Sequence, residues 1–458
     1  MNNIKLPKKI ANLVFISLIV SSLLSIYITY KYDKFESDNA VHAMIKGDAH
    51  PIWKRAEKLK EDLLSGKDYL SSGSELHRSY LPVRTIAFFS IIFDYKLFSD
   101  QETGKIKIDK KKLIYLIFQS LLYFQILFYF LKKLQNFLDT DTLFYCALFL
   151  CLCPSILLFH SSFHTESIFF SLQLLLLFYV IKPSSRILMN IIYGLILGLM
   201  FLQKTVGLFY IFLIMVFFIL NFKQRALKPI IFLSIGYICV LLFVGYGNFK
   251  RIGVFYFQPT QTNNALLWYV GEPILSKGMK ISNKEARLKI KNDNETWIKK
   301  NNIDLELEID RLTFGRYQKK YALDIILNYP IVSIKHMGWK SMQTAMMSPF
   351  YVFHYYYWEQ TRDNKFYLTK NYKQIWWPIN IFYSLIIYIL VLIGFINSFK
   401  MLDLKLNFLF ITSALYMFGM LGWVGHDRYM VPSLIYLAIY FGIGVMTCKK
   451  KLKNKNLN

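Results

Sequence analysis

About ten apolar runs succeed one another along the chain, at roughly 10–30, 113–131, 142–159, 167–181, 187–202, 205–220, 229–247, 379–398, 406–424 and 429–447. A helix needs about 20 apolar residues to cross the hydrocarbon of a bilayer. The repetition of runs near that length leaves one fold class, an all-α polytopic membrane protein with about ten transmembrane helices. The stretch from Ile187 to Leu220 is the most constraining of all, being apolar but for Gln203 and Lys204. As one helix it would measure about 51 Å, too long for a membrane. Basic residues flank both of its ends, so it must fold back with its turn at Gln203-Lys204, leaving the lysine slightly recessed from the outer surface.

The charge pattern orients the runs. The net charge of +26 comes from 55 Lys plus Arg against 29 Asp plus Glu, spread over short segments between apolar runs. That suits topology control and anionic headgroups, and it excludes nucleic-acid binding, which would gather the cations on one face. With the N-terminus inside, Lys132, Lys133, Lys182, Arg186, Lys223, Arg225, Lys228, Lys400, Lys405 and the basic tail from Lys449 all fall inside. The first run has no small-residue cleavage site and reads as an uncleaved helix, not a signal peptide. The five cysteines lie in or beside apolar runs, so neither a disulfide framework nor a zinc knuckle is expected.

Two polar regions then face outward, residues 31–112 and 248–378. They divide the chain into an N-terminal membrane module (1–247), an outer region (248–378) and a C-terminal membrane segment with a basic tail (379–458). Residues 82–98 carry Arg84, Asp94 and Lys96 and are too short to cross; they read as an interfacial or re-entrant helix. In the second region, 277–308 is expected to be a solvated helix and 321–349 an amphipathic helix lying on the membrane. Aromatics at 351–358 fit an interfacial belt.

Polar islands cluster where the runs should meet the outer face. They are Asp48-Ala-His50 with Arg55 and Arg84, His164-Thr-Glu166, Gln203-Lys204 with Gly207, Asn328-Tyr-Pro330, and His426-Asp-Arg-Tyr429. An acid shortly before an aromatic and an amphipathic helix opens the GT-C superfamily of membrane glycosyltransferases. The ordered set resembles that family over nearly the whole chain. The His164–Glu166 segment is similar to that of GPI mannosyltransferases, and the later islands to aminoarabinose and protein O-mannosyl transferases. The resemblance implies an inverting transfer of a hexose or pentose from a polyprenyl-phosphate donor to a lipid, glycan or protein acceptor on the outer face.

Such chemistry needs a carboxylate to take the acceptor proton and cations to hold the leaving phosphate. Asp48 is the expected base and Glu166 the second catalytic acid. His50, Arg55, Arg84, His164, Lys204, His426, Arg428 and Tyr429 are expected to bind substrate. Two departures from the family stand out. No second acid adjoins Asp48, so Asp33 and Asp38 compete with it as base; and Lys204 stands where many relatives carry arginine, keeping the charge without the bidentate fork. A divalent ion held by Asp48, Glu166, His50, His164 and His426 lacks any tight ligand spacing, so no cofactor is expected.

Blander roles compete with each assignment. Asp48 would cap the helix beginning near Pro51, Glu166 would complement a helix N-terminus, Lys204 would snorkel at a turn, and Arg428 would pair with Asp427. The rival functions are a transporter or flippase of lipid-linked sugars and an O-antigen polymerase or ligase. The composition favours a bacterial cytoplasmic membrane over the endoplasmic reticulum, for which only the sequon Asn294-Glu-Thr296 speaks. Trp53, Trp268 and Trp297 could stack on a sugar ring.

Overall fold

A computed structural model describes residues 5–33, 49–68, 80–95, 110–161, 165–259, 261–347, 358–360, 366–368, 377–421 and 431–455. It is almost entirely helical. The membrane module comprises α1 (Lys8–Asp33), α2 (Ala49–Leu64), α3 (Tyr80–Ile92), α4 (Leu113–Leu134), α5 (Thr140–Leu152), α6 (Pro154–His160), α7 (Glu166–Val180), α8 (Ile187–Gln203), α9 (Tyr210–Phe222) and α10 (Leu227–Ile252). The outer region adds α11 (Glu272–Met279), α12 (Asn283–Lys300), α13 (Glu308–Asn328), α14 (Pro330–Met347) and a two-stranded antiparallel hairpin, β1 (Trp358–Gln360) with β2 (Phe366–Leu368). The chain closes with α15 (Trp377–Met401), α16 (Leu404–Leu421) and α17 (Val431–Lys455).

Among the described residues five helical segments are long and apolar enough to cross a membrane: Lys8–Tyr27, Leu113–Leu134, Thr205–Ile252, Pro378–Met401 and Val431–Asn454. The protein is an integral membrane protein. Helices α3, α7, α8 and α16 are apolar but shorter, so the expectation of about ten full crossings is met only in part. The segment Thr205–Ile252 is not one rod. Lys223 takes φ +49°, and the Tyr237 hydroxyl donates to the Leu208 carbonyl at 2.8 Å, which returns α10 along α9.

Several expectations need correcting. The run 142–159 is broken at Pro154, where α5 and α6 meet at 51°: proline has no N–H to continue the ladder and sits at the first position of α6. Pro330 likewise separates α13 from α14, so Asn328-Tyr-Pro330 is a joint between helices, not the interior of one. The Tyr388 hydroxyl of α15 donates to the carbonyl of Ala345 at 2.7 Å, which seats the end of α14 against the bundle. The β-hairpin was not foreseen. Asn294 of the sequon lies 7% exposed within α12.

Several helix pairs pack closely enough to require glycine. A Cβ on Gly194 of α8 would lie 2.0 Å from the Leu233 carbonyl oxygen of α10, and one on Gly394 of α15 would lie 1.7 Å from the Tyr440 carbonyl oxygen of α17. Backbones that close gain dispersion contact where no hydrophobic effect drives association. Ion pairs and ring contacts assign the helix ends to two faces. Lys9 pairs with Asp141 at 2.6 Å, Lys449 lies over the Tyr145 ring, and Lys133 donates to the Phe178 carbonyl. That gathers the start of α1, the ends of α4, α7 and α17 and the start of α5. The opposite face collects Trp53 of α2 against Tyr115 of α4, and Lys250 of α10 with Asp68.

The outer region has its own buried cluster, formed by Leu267, Val270, Ile274, Leu275, Ala286, Ile290, Ala322 and Ile325. Helix α12 begins on a capping box in which Ser282 and Glu285 bond each other's backbone N–H.

Candidate functional site

Helices α7 and α8 meet at the face opposite the Lys9–Asp141 pair, and two side chains tie them. Glu166 opens α7, with its carboxylate at the helix N-terminus where negative charge is favoured. Lys204 ends α8 in extended backbone. Its Nζ donates to Glu166 Oε1 at 2.7 Å, and the side chains are only 11% and 2% exposed. Beside them Gln203 Nε2 donates to the Thr165 carbonyl at 2.7 Å. The chain then turns through Thr205–Phe209, where Gly207 N–H donates to the Lys204 carbonyl at 2.9 Å. A Cβ on Gly207 would sit 2.6 Å from the Phe201 nitrogen, so the turn folds onto the last coil of α8 only with glycine there.

The pair is recessed. Gly194 lies against Gly236, and Gly198 against Val240, so α8 and α10 run parallel with Lys204 level with residue 246. Helix α10 continues six residues further, raising a wall about 9 Å above the pair. Phe257, after α10, returns to meet Phe201 at 6.0 Å. A buried charge without a partner would cost several kcal/mol; here each ion is the other's partner.

Of the other expected site residues, Arg84 on α3 is 5% exposed, with its guanidinium 4.2 Å from the Tyr80 ring. Tyr80 in turn meets Phe243 of α10. Arg55 lies on α2, where Trp53 is buried against Tyr115 under Lys112. His50 is in the first turn of α2. Asp48, His164, His426, Arg428 and Tyr429 lie outside the described residues, as do Asp38 and Asp427. No three His, Cys, Asp or Glu side chains gather to hold a metal among the described residues. Trp297 is stacked on Tyr317 at 4.4 Å and Trp268 sits under Arg287; with Trp53 buried, these rings are engaged within the protein.

Sequence reasoning missed two buried polar groups that fix α7. His160 is fully buried, and its Nδ1 lies 2.6 Å from Ser167 Oγ, which ties the end of α6 to the first turn of α7. Gln173, also fully buried, bonds the backbone of α17. Gln173 is the one amide in the middle of an otherwise apolar helix, and such a residue inside a membrane signals a specific partner.

No family model matches the chain, and no curated protein matches it. Among solved structures it is similar to the archaeal oligosaccharyltransferase AglB from Archaeoglobus fulgidus in complex with an inhibitory peptide and a dolichol-phosphate. The identity is 11%, over 97% of this chain and 51% of that one, with a TM-score of 0.47. The Archaeoglobus fulgidus oligosaccharyltransferase tethered to an acceptor peptide overlaps 96% of this chain and 50% of its own at 13% identity and TM-score 0.47. Its apo form gives 13%, 97%, 51% and 0.48. The chain spans about half the length of these oligosaccharyltransferases.

Proposed function

We propose that this protein is a membrane glycosyltransferase of the GT-C type, with about ten helices crossing or entering the bilayer. It moves a sugar from a polyprenyl-phosphate donor to an acceptor hydroxyl on the outer face. The observation that carries the reading is the buried Glu166–Lys204 pair, recessed below the end of α10. A carboxylate and an ammonium held dry and side by side suit a ligand that brings both hydroxyls and a phosphate. The acceptor oxygen attacks the anomeric carbon, Asp48 takes its proton, and the phosphate departs with the bonding electrons on the opposite side, inverting the centre. A donor phosphate would compete with Glu166 for Lys204, and the carboxylate so released would hold sugar or acceptor hydroxyls. Arg55, Arg84, His426 and Arg428 would complete the anion clamp, with His50, His164 and Tyr429 at its edge.

The test is transfer by the purified full chain in nanodiscs, given radiolabelled polyprenyl-phosphate sugars and membrane lipid extract. Transfer should be found, and Asp48→Asn should lower it at least about 100-fold, the range of a lost general base, while donor binding is kept. Wild-type rates in that variant would remove Asp48 from the mechanism.

A further inference from the structure

One side of α14 is apolar and bare. Ile331, Ile334, Trp339 and Met342 are 60–73% exposed, and at about 100° per residue they fall within about 140° of the helix circumference. Ser333, His336 and Thr344 lie on the other side and are buried. Ser333 Oγ donates to the Ile326 carbonyl of α13 at 3.1 Å, and His336 meets Lys277 of α11. The helix thus turns its polar groups toward the outer region and its apolar row away from it, the reverse of a helix surrounded by water. Leu327, just before the joint at Pro330, is exposed as well and lengthens the row.

What covers this row follows from where α14 ends. Tyr388, which donates to the Ala345 carbonyl, belongs to the segment Pro378–Met401 that is long and apolar enough to cross a membrane. Leu385 and Leu392, three residues before Tyr388 and four after it, share its side of α15 and are exposed. Apolar side chains bare on a crossing helix face lipid. Met342, about one turn before Ala345, continues a surface that lipid already covers. Charge selects the kind of lipid: from Leu312 to Met347 there are five Lys or Arg against one acid, Asp324. Lys335 is exposed within the apolar row itself, and α14 contains no acid. We propose that this face of α14 docks on an anionic lipid surface. Ile331, Ile334, Trp339 and Met342 enter the boundary between headgroups and acyl chains, and Lys335 snorkels to the lipid phosphates. The docking seats the outer region on the bilayer whether or not the chain transfers a sugar.

The full chain, with Cys239 and Cys448 replaced by serine and an environment-sensitive dye on Ile334→Cys, would be placed in nanodiscs of phosphatidylcholine with or without phosphatidylglycerol. A nitroxide near the headgroup end of the acyl chain should quench this dye about as strongly as one on Phe382→Cys of α15, and should spare one on Lys291→Cys of α12. Amide exchange at 331–342 should be about fivefold slower with phosphatidylglycerol than without, the effect of one lysine near an anionic surface. High salt, or Lys335→Gln, should remove most of that difference. A dye at residue 334 left unquenched assigns the face to water, and Ile334→Cys cross-linking between copies assigns it to a second chain; either overturns the proposal. So does equal exchange in the two lipid compositions, or a difference that Lys335→Gln leaves unchanged.

Discussion

Glu166 and Lys204 are separated by 38 residues and joined by 2.7 Å, and their burial makes the pair a measurable unit. Removing one partner leaves an uncompensated charge in a dry site, which costs about 3–5 kcal/mol. Glu166→Gln and Lys204→Met should each destabilise the protein by about 3 kcal/mol. The double variant should lose less than the sum of the two, and additive losses in equilibrium unfolding would show the pair to be uncoupled. His336 on α14 behaves differently. It is buried, its Nδ1 is 3.4 Å from Lys277 Nζ, and burial first, then the charges of Lys277 and Lys340, hold its pKa below the ordinary 6.5. The unfolded state then takes up a proton that the folded state refuses, so the contribution is intact above pH 6.5 and is lost as pH falls below it. Exchange of α11 and α14 amides, corrected for intrinsic rate, should rise between pH 7 and 5. His336→Gln should flatten that rise; an unchanged slope in the variant would assign it elsewhere.

Among the helices, packing is governed by how near two backbones come. The Cβ of Gly394→Ala would fall 1.7 Å from the Tyr440 carbonyl oxygen, a clash that only separating α15 from α17 relieves. A loss of about 2 kcal/mol or more is expected, read as a lower unfolding temperature. Gly419→Ala on α16, where a Cβ meets nothing within 4 Å, should be neutral or slightly stabilising because alanine favours helix. Equal effects of the two would deny the close contact. The joints at Pro154 and Pro330 could be anticipated from proline alone, yet the 51° between α5 and α6 is a packing angle. Proline states where the hydrogen-bond ladder stops, and the neighbours decide how far the chain bends.

For the whole molecule the testable property is sidedness. With Cys239 and Cys448 replaced by serine, since the other three cysteines are buried, single cysteines at Ser184 and Gly66 should react with an impermeant reagent from opposite sides of the membrane. Asp48→Cys and Thr165→Cys should react from the same side as Gly66; labelling from opposite sides would separate the expected base from the Glu166–Lys204 pair. Much of this plan is legible in the chain. Apolar runs and lysine flanks follow from transfer energies that each segment meets by itself, and the fold-back at Gln203-Lys204 follows from length. The polar islands are legible for the same reason, since a charge inside an apolar run is expensive wherever the helix packs. What the sequence determined is which segments are apolar enough to enter a membrane, and where a charged or polar residue too costly to be accidental interrupts them. Only the tertiary structure decided that Lys204 faces Glu166, that His160 and Gln173 lock α7, and that α14 leans on α15. Those outcomes depend on the relative heights of helices, and height is set by glycine contacts and buried hydrogen bonds between residues far apart in the chain.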